Sequence, residues 1–252
     1  MSDDGRGLKF GTVAQSYDLY RAHMPDEAVA LIGDIKGLEV LDVGAGTGKL
    51  TRFLLELGAK VSVVEPDREM RSVLERRSPE AHELLGSAEH VPVADASFDA
   101  VLSSSAWHWF TQPEATNEMA RVLRDNGSLF VMWNGFSRDV SWTEGLTKIR
   151  ERPDDVNRKP RGWNATFDAD GDFVDVQDFS ITWTWPRTID QVVGLFGTYS
   201  GAIVQCDENR AKLEDRVRQL LRDFIGDAEA MGDGVVEVPM LLRGTTARRR
   251  AR

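Results

Sequence analysis

Between Leu38 and Trp133 the chain alternates continuous apolar runs with segments of helical period. The runs are "LEVLDV", "KVSVVE", "HELLG", "FDAVLS" and "SLFVMW", and helices are predicted from about Thr47 to Leu57, Asp67 to Arg77 and Pro113 to Arg124. Unbroken apolar runs are those of strands buried on both faces, and strand–helix alternation builds a parallel sheet flanked by helices. The pattern predicts a doubly wound α/β fold, with Gly58, Gly86 and Gly127 where connections turn.

Beyond Trp133 the pattern changes. "NGFSRDVSWTEGLTKIRERPDDVNRKPRGWNATFDADGDF" is polar and punctuated by Gly and Pro, an excursion from the sheet. "VDVQDFSITWTWP" alternates as a half-buried strand does, "TIDQVVGLFGTYS" and "ENRAKLEDRVRQLLRDFI" have helical period, and "GVVEVPMLL" is a late strand. The closing "RGTTARRRAR" holds five arginines and reads as a solvated tail, with an anionic partner as the alternative.

With 252 residues the chain can bury the core of one α/β domain carrying a lid. A formal net charge of −10 argues against a phosphate backbone as partner, so nucleic acid is not expected. Cys206 is the single cysteine and reads as a small thiol rather than a nucleophile; no zinc spacing points to a metal. The N-terminal stretch has no apolar core with a cleavage site, and no segment reaches about eighteen apolar residues. The expectation is a cytoplasmic protein with no membrane partner, monomeric or homodimeric.

"LDVGAGTGKL", Leu41 to Leu50, joins the first run to the first helix of this core. Gly44, Gly46 and Gly48 alternate, but Lys49 follows, out of register with the Gly-x-Gly-x-x-Gly loop of dinucleotide sites. A phosphate P-loop fails as well, with Val43 in place of its first glycine and Leu50 in place of its magnesium-binding hydroxyl. Asp42, just before the loop, disfavours phosphate on the adjacent helix N-terminus and suits a ligand with positive charge or hydrogen-bond donors. The alternative for Asp42 is a cap on turn N–H groups. Glu65 ends the second run, held extended by Pro66, and its carboxylate can accept both hydroxyls of a ribose. A ligand with ribose, adenine, no phosphate, a positive sulfur and an amino-acid tail fits all three features: S-adenosylmethionine.

"LDVGAGTG" with "VVEPD" resembles the class I methyltransferases, specifically the small-molecule group called type 11. The resemblance implies a Rossmann-like sheet of seven strands, mostly parallel with the last antiparallel. It places the cofactor at Asp42, Gly44, Ala45, Gly46, Gly48, Glu65 and Pro66. "GSAEHVPVADASFDAVLSSSAWHWF" is similar to the stretch that supplies adenine contacts and the fourth strand, which implies Ser87, Ala88 and Glu89 beside the adenine and Ser103 at the cofactor. "FGTVAQSYDLYRAHMPDEAVALI" is similar to the N-terminal helix that closes over the cofactor, implying Tyr17, Tyr20 and Arg21 near its methionine end. "LFGTYSGAIV" and the last Val-rich strand resemble the branch similar to trans-aconitate methyltransferase, which makes methyl esters of small acids. On this resemblance residues 1–252 form a single domain. Segment 1–36 supplies the N-terminal cofactor-covering helices and 37–133 the cofactor-binding core; 134–234 holds lid insertions plus a late strand, and 235–252 the final strand and Arg-rich tail.

Methyl transfer from a sulfonium is an in-line displacement, so the site must chiefly align and dry its reactants. In the family the loop after the fourth strand sits by the transferring methyl; here it runs Ser103 to Phe110, without the Asn/Asp-Pro-Pro-Tyr/Phe stretch of DNA and protein amine methylases. Trp107 and His108 are the substrate-side candidates. His108 is a candidate general base for a hydroxyl or carbon acid, whereas a carboxylate needs none; packing between two tryptophans is its alternative role. Trp142, Trp163, Trp183 and Trp185 fall in the lid segment, as an aromatic wall or as the lid's own core. The resulting reading is S-adenosylmethionine-dependent O-methylation of a carboxylate or hydroxyl on a small molecule, releasing S-adenosylhomocysteine. Carbon methylation of a quinone-like ring, a nicotinamide-dependent oxidoreductase and a non-catalytic cofactor-binding protein are the alternatives.

Overall fold

A computed structural model of the chain describes residues 13–150, 165, 167, 171–203, 206–225 and 234–251. Strands β1 (Glu39–Val43), β2 (Lys60–Val64), β3 (His82–Glu83), β4 (Phe98–Ser104), β5 (Leu123–Phe136), β6 (Phe173–Thr188) and β7 (Val235–Arg249) form a seven-stranded sheet in the order β3-β2-β1-β4-β5-β7-β6. The first five strands are parallel, and β7 runs antiparallel between β5 and β6. The chain leaves β1 toward β2 on one side and returns to β4 on the other, so a crevice opens beyond the carboxyl ends of β1 and β4. That switch of direction is where ligands bind in open α/β sheets.

The apolar runs are buried on both faces, as their continuity predicts. Val40, Val61, Val63, Ala100, Leu102 and Met132 pack into one core. Their sequence neighbours Leu41, Val43, Val64, Val101 and Val131 pack into a second core on the opposite face. Helices α1 (Ala14–Tyr20), α2 (Ala28–Ile32), α3 (Lys49–Glu56), α4 (Arg68–Arg77) and α5 (Glu114–Val122) accompany the parallel strands. Asp67 caps α4 by accepting N–H bonds from Glu69 and Met70, both at 3.0 Å. Later come α6 (Ser141–Arg150), α7 (Ile189–Gly197), α8 (Ser200–Ile203) and α9 (Asp207–Ile225). A capping box between Thr188 and Gln191 starts α7. Among the described residues no helix is long and apolar enough to cross a membrane.

Three expectations change. The first core helix begins at Lys49, not Thr47, because Gly48 precedes it in the left-handed region with φ +83°. The helix predicted to Arg124 stops at Val122, where Leu123 already pairs with Phe98. The arginine-rich close is not a solvated tail: Arg243, Arg248 and Arg249 lie in β7. Arg249 is only 3% exposed, donating to the Ala120 carbonyl at 2.7 Å and pairing with Asp172 at 2.7 Å. Of the tryptophans placed in the lid, Trp183 and Trp185 are buried in the core from β6, Trp142 packs against that core, and Trp163 lies outside the described residues.

Candidate functional site

β1 delivers Asp42 to the crevice, and the loop that follows folds back on β2. The Gly44 and Ala45 N–H groups donate to the Val64 carbonyl at 2.8 and 3.2 Å. Gly44, with φ +70°, passes so close to the β4 exit that a Cβ there would stand 2.5 Å from the Ala106 Cβ. Glu65, just beyond β2, is 8% exposed. Its Oε2 accepts the Gly46 N–H at 2.8 Å and its Oε1 the Asp67 N–H at 2.9 Å. Burial raises its pKa, against the two backbone bonds that lower it. Each oxygen keeps a lone pair for a further donor.

Asp42 is 1% exposed. Its Oδ2 accepts the Thr51 hydroxyl at 2.7 Å, while Oδ1 has no partner among the described residues. Burial, with the Glu65 charge assisting, pushes its pKa up to about 7 despite the Thr51 bond. A buried carboxylate with an unpartnered oxygen at the rim of a cleft suits a cationic or N–H-bearing ligand, which would satisfy it.

The opposite wall comes from α1 and the turn after it, bringing Tyr17, Arg21, His23 and Met24 across from Asp42, Gly44, Ala45 and Gly46. Arg21 donates to the Thr198 hydroxyl at 2.9 Å and carbonyl at 2.8 Å, and its guanidinium lies over the rings of Tyr17 at 4.9 Å and Tyr199 at 4.1 Å. Asn134, on β5, donates to the His23 carbonyl at 3.0 Å and accepts the Trp183 indole N–H at 3.1 Å. It thus ties the N-terminal segment to β6 across the cleft floor.

Tyr17, Arg21, Asp42, Gly44, Ala45 and Gly46 therefore stand together. Gly48 faces away, packed toward Leu74 and Ser78. Pro66 is exposed, and its carbonyl takes a bond from Arg71 at 3.1 Å. Ser87, Ala88 and Glu89 form a separate turn in which Glu89 accepts the Thr111 N–H at 2.8 Å. Ser103 is fully buried with its hydroxyl unpartnered among the described residues. Trp107 is a correction: instead of facing the cleft it is 6% exposed in a core cluster with Phe110 and Phe167, while Ser104 and Ser105 supply this loop's share of the lining. His108 is held from Nδ1 by the Trp133 indole N–H at 3.2 Å.

Sequence reasoning missed Thr47, Lys49, His23 and Asn134, all of which line the cleft. Only Lys49 carried a signal: a cation at the first position of a helix opposes the helix dipole and needs another reason to be there.

A glycine loop at the switch point of a 3-2-1-4-5-7-6 sheet, flanked by two buried carboxylates, defines a Rossmann-like ligand-binding enzyme fold. The family described as a methyltransferase domain matches residues 41–131. A methyltransferase of Mycobacterium tuberculosis is 37% identical over 240 residues, covering 95% of this chain and 96% of that protein. A malonyl-[acyl-carrier protein] O-methyltransferase of Serratia marcescens is 35% identical over 122 residues, 47% of this chain and 48% of that protein. A structure from Anaeromyxobacter dehalogenans described as a candidate type II methyltransferase superposes with TM-score 0.60 at 20% identity, covering 92% of this chain and 97% of that one. The chain belongs to the S-adenosylmethionine-dependent methyltransferases of class I.

Proposed function

We propose that the cleft binds S-adenosylmethionine and that the enzyme methylates an oxygen, preferably of a carboxylate, on a small molecule. The observation that carries the reading is the buried Oδ1 of Asp42 beside the glycine loop, unpartnered among the described residues, a receptor for the cofactor's ammonium that a phosphate-bearing ligand would not satisfy. Gly44, Ala45 and Gly46 bring backbone close to the ligand, and Glu65, braced by Gly46 and Asp67, presents its spare lone pairs to the ribose hydroxyls. Ser87, Ala88 and Glu89 are proposed for the adenine, Tyr17 and Arg21 for the methionine end. When bound, the cofactor supplies a methyl carbon made electrophilic by its sulfonium sulfur.

The chain's own contribution is alignment and exclusion of water: α1 closes one wall, and the β4 exit loop closes the other. Oxygen is preferred because a carboxylate attacks without giving up a proton, and because the Nδ1 lone pair of His108 is already engaged by Trp133. The partial similarity to a malonyl-[acyl-carrier protein] O-methyltransferase points the same way.

Calorimetric titration with S-adenosylmethionine and S-adenosylhomocysteine, with NAD and ATP as controls and Glu65→Ala as the variant, tests the cofactor. Saturable binding of the first two alone, weakened by the substitution, is expected. An acceptor screen with labelled methyl groups then tests the oxygen, since a methyl ester releases methanol in alkali and an N- or C-methyl product does not.

A further inference from the structure

Helix α5 does more than cover the sheet. Its inner face is fixed: Ala115, Met119, Ala120 and Val122 are buried in the second core, and Arg249 of β7 donates to the Ala120 carbonyl at 2.7 Å. From the same helix Glu118 accepts the Val91 N–H at 2.6 Å. Arg121 donates to the carbonyls of Val91 and Val93, each at 2.9 Å, to the Asp95 carboxylate at 2.8 Å and to both oxygens of Glu118 at 2.8 Å. One ion pair thus takes both backbone groups of Val91, a residue only 1% exposed. Glu118 stays ionised in this setting, since the bond from Arg121 lowers its pKa against the rise that burial imposes.

Val91 directly follows a closed turn. Ser87 and His90 exchange backbone bonds at 3.0 and 3.1 Å, and the Ala88 N–H between them makes no hydrogen bond among the described residues. Gly86 passes so close to the segment beyond the turn that a Cβ on it would stand 2.5 Å from the His90 carbonyl oxygen and 2.8 Å from the Pro92 Cδ. A shift of Val91 therefore carries the turn with it. The turn has a second tie to the helix, because Glu89 accepts the Thr111 N–H at 2.8 Å and the Thr111 carbonyl accepts the Ala115 N–H at 2.9 Å. It also lies among the strand ends that carry the cofactor loop. Leu84, just before it, donates to the Val63 carbonyl at 2.9 Å, two residues ahead of Glu65. Phe110, beside Thr111, comes within 3.1 Å of the position a Cβ on Gly44 would take.

We propose that Glu118 and Arg121 are positioning residues for recognition of the cofactor's base: by fixing Val91 they set the Ser87 to Glu89 turn against the purine edge, and so make the site select adenine. The inference rests on the reading above that this turn receives the adenine, and it adds two residues that lie outside the cleft lining. A salt bridge that serves stability alone needs only its own two side chains, and on a helix surface it contributes little. This one is mostly buried, its side chains 10% and 30% exposed, and it spends its remaining donors on the main chain of another segment. That arrangement fixes a position. Position is what base selection needs. Adenine presents an acceptor at N1 and a donor at its amino group, whereas hypoxanthine presents a donor at N1 and an acceptor at its oxo group, so groups placed for one oppose the other. A turn free to drift by about an ångström would bind both bases weakly and alike.

The test is calorimetric titration of the full chain with S-adenosylhomocysteine and with S-inosylhomocysteine, which differs from it only at that purine edge. Arg121→Lys, which keeps the charge but loses the guanidinium fork, and Glu118→Gln are the variants. Arg124→Lys is the control, because the Arg124 to Asp99 pair, at 2.6 Å, is the same chemistry at the opposite ends of the strands, where Asp99 also accepts the Glu39 N–H. The wild type should prefer the adenine compound by about thirtyfold or more. Each variant should weaken that compound by about tenfold or more while changing the inosine compound by less than about threefold, and Arg124→Lys should leave the preference unchanged whatever it does to the Tm. A preference kept within about twofold in both variants would overturn the inference, as would its loss in Arg124→Lys. Equal binding of the two compounds by the wild type would instead remove the adenine from this turn, and failure of both to bind would remove the cofactor reading itself.

Discussion

The indole N–H of Trp133 donates to Nδ1 of His108 across 3.2 Å. A neutral imidazole that accepts at Nδ1 carries its proton at Nε2, so that nitrogen is a donor and not a base. The other tautomer would set two N–H groups against each other. His108→Gln is therefore expected to keep kcat within about threefold, with an unchanged pH profile, because no general-base contribution is being removed. A general base contributes about a hundredfold or more, so a fall of that size, with loss of the acidic limb of the profile, would show that His108 abstracts a proton and that the acceptor is not a carboxylate.

Asp42 predicts a pH dependence of fixed sign. Its folded pKa of about 7 lies above its ordinary 3.8, so between these values the folded chain keeps a proton that the unfolded chain has released. The stability this proton supplies is complete below about pH 4 and is lost as pH rises through about 7. Asp42→Asn resembles the protonated residue, and Thr51 can turn its hydroxyl to suit either partner. It should raise the Tm by at least about 3 °C at about pH 8 and leave it unchanged near pH 4. In the wild type, affinity for S-adenosylmethionine should tighten from about pH 6 to pH 8 as the carboxylate ionises, and in Asp42→Asn it should be weaker and flat. Equal melting temperatures at both pH values would remove the buried-charge argument.

What the sequence reveals and what it hides follow from the same physics. β1, β2, β4 and β5 were legible because burial on both faces demands unbroken apolar runs, and Asp42 and Glu65 because each ends such a run beside a turn. The role of Arg249 was hidden: counting charges in "RGTTARRRAR" ignores that Thr245, Ala247 and Arg249 alternate toward the buried side of a strand. Trp107 was misplaced for a related reason. Alternate positions at a strand exit point to opposite faces, but Trp107–Trp109 form a 3-10 turn with about three residues per turn, which rotates Trp107 into the core. The meeting of His23, Lys49 and Asn134 on one cleft lining comes from segments far apart in the chain, and no local pattern links them.

Glu65 serves the loop as well as the ligand, and its substitution should separate the two. Glu65→Gln keeps one acceptor oxygen but turns an NH2 group toward either the Gly46 or the Asp67 N–H, each now within 3 Å of a carboxylate oxygen. Leaving one buried donor unsatisfied costs about 1–3 kcal/mol. A lower Tm with an affinity for S-adenosylhomocysteine reduced by about tenfold or more is expected, since charge-assisted bonds to the ribose are lost together with loop geometry. Unchanged affinity would assign Glu65 to the loop alone.

Gly194 tests the covering helix independently of any residue on the cleft lining. It faces Tyr20, and a Cβ there would come within 2.6 Å of that ring, so α1 must shift away from α7 when the site is filled. The substitution Gly194→Ala also favours helix α7 by about 1 kcal/mol, which offsets part of the lost packing, so the global Tm should move by only about 3 °C. The cover is not compensated in the same way. Displacing Tyr20 pulls on Arg21, whose bonds to Thr198 hold α1 against the C-terminal end of α7. Affinity for S-adenosylhomocysteine, measured by calorimetry, should then fall by about tenfold or more, with a faster off-rate. If the affinity is unaffected while the Tm responds as stated, α1 packs on α7 without closing the cofactor site, and the wall opposite Asp42 must be assigned to another segment.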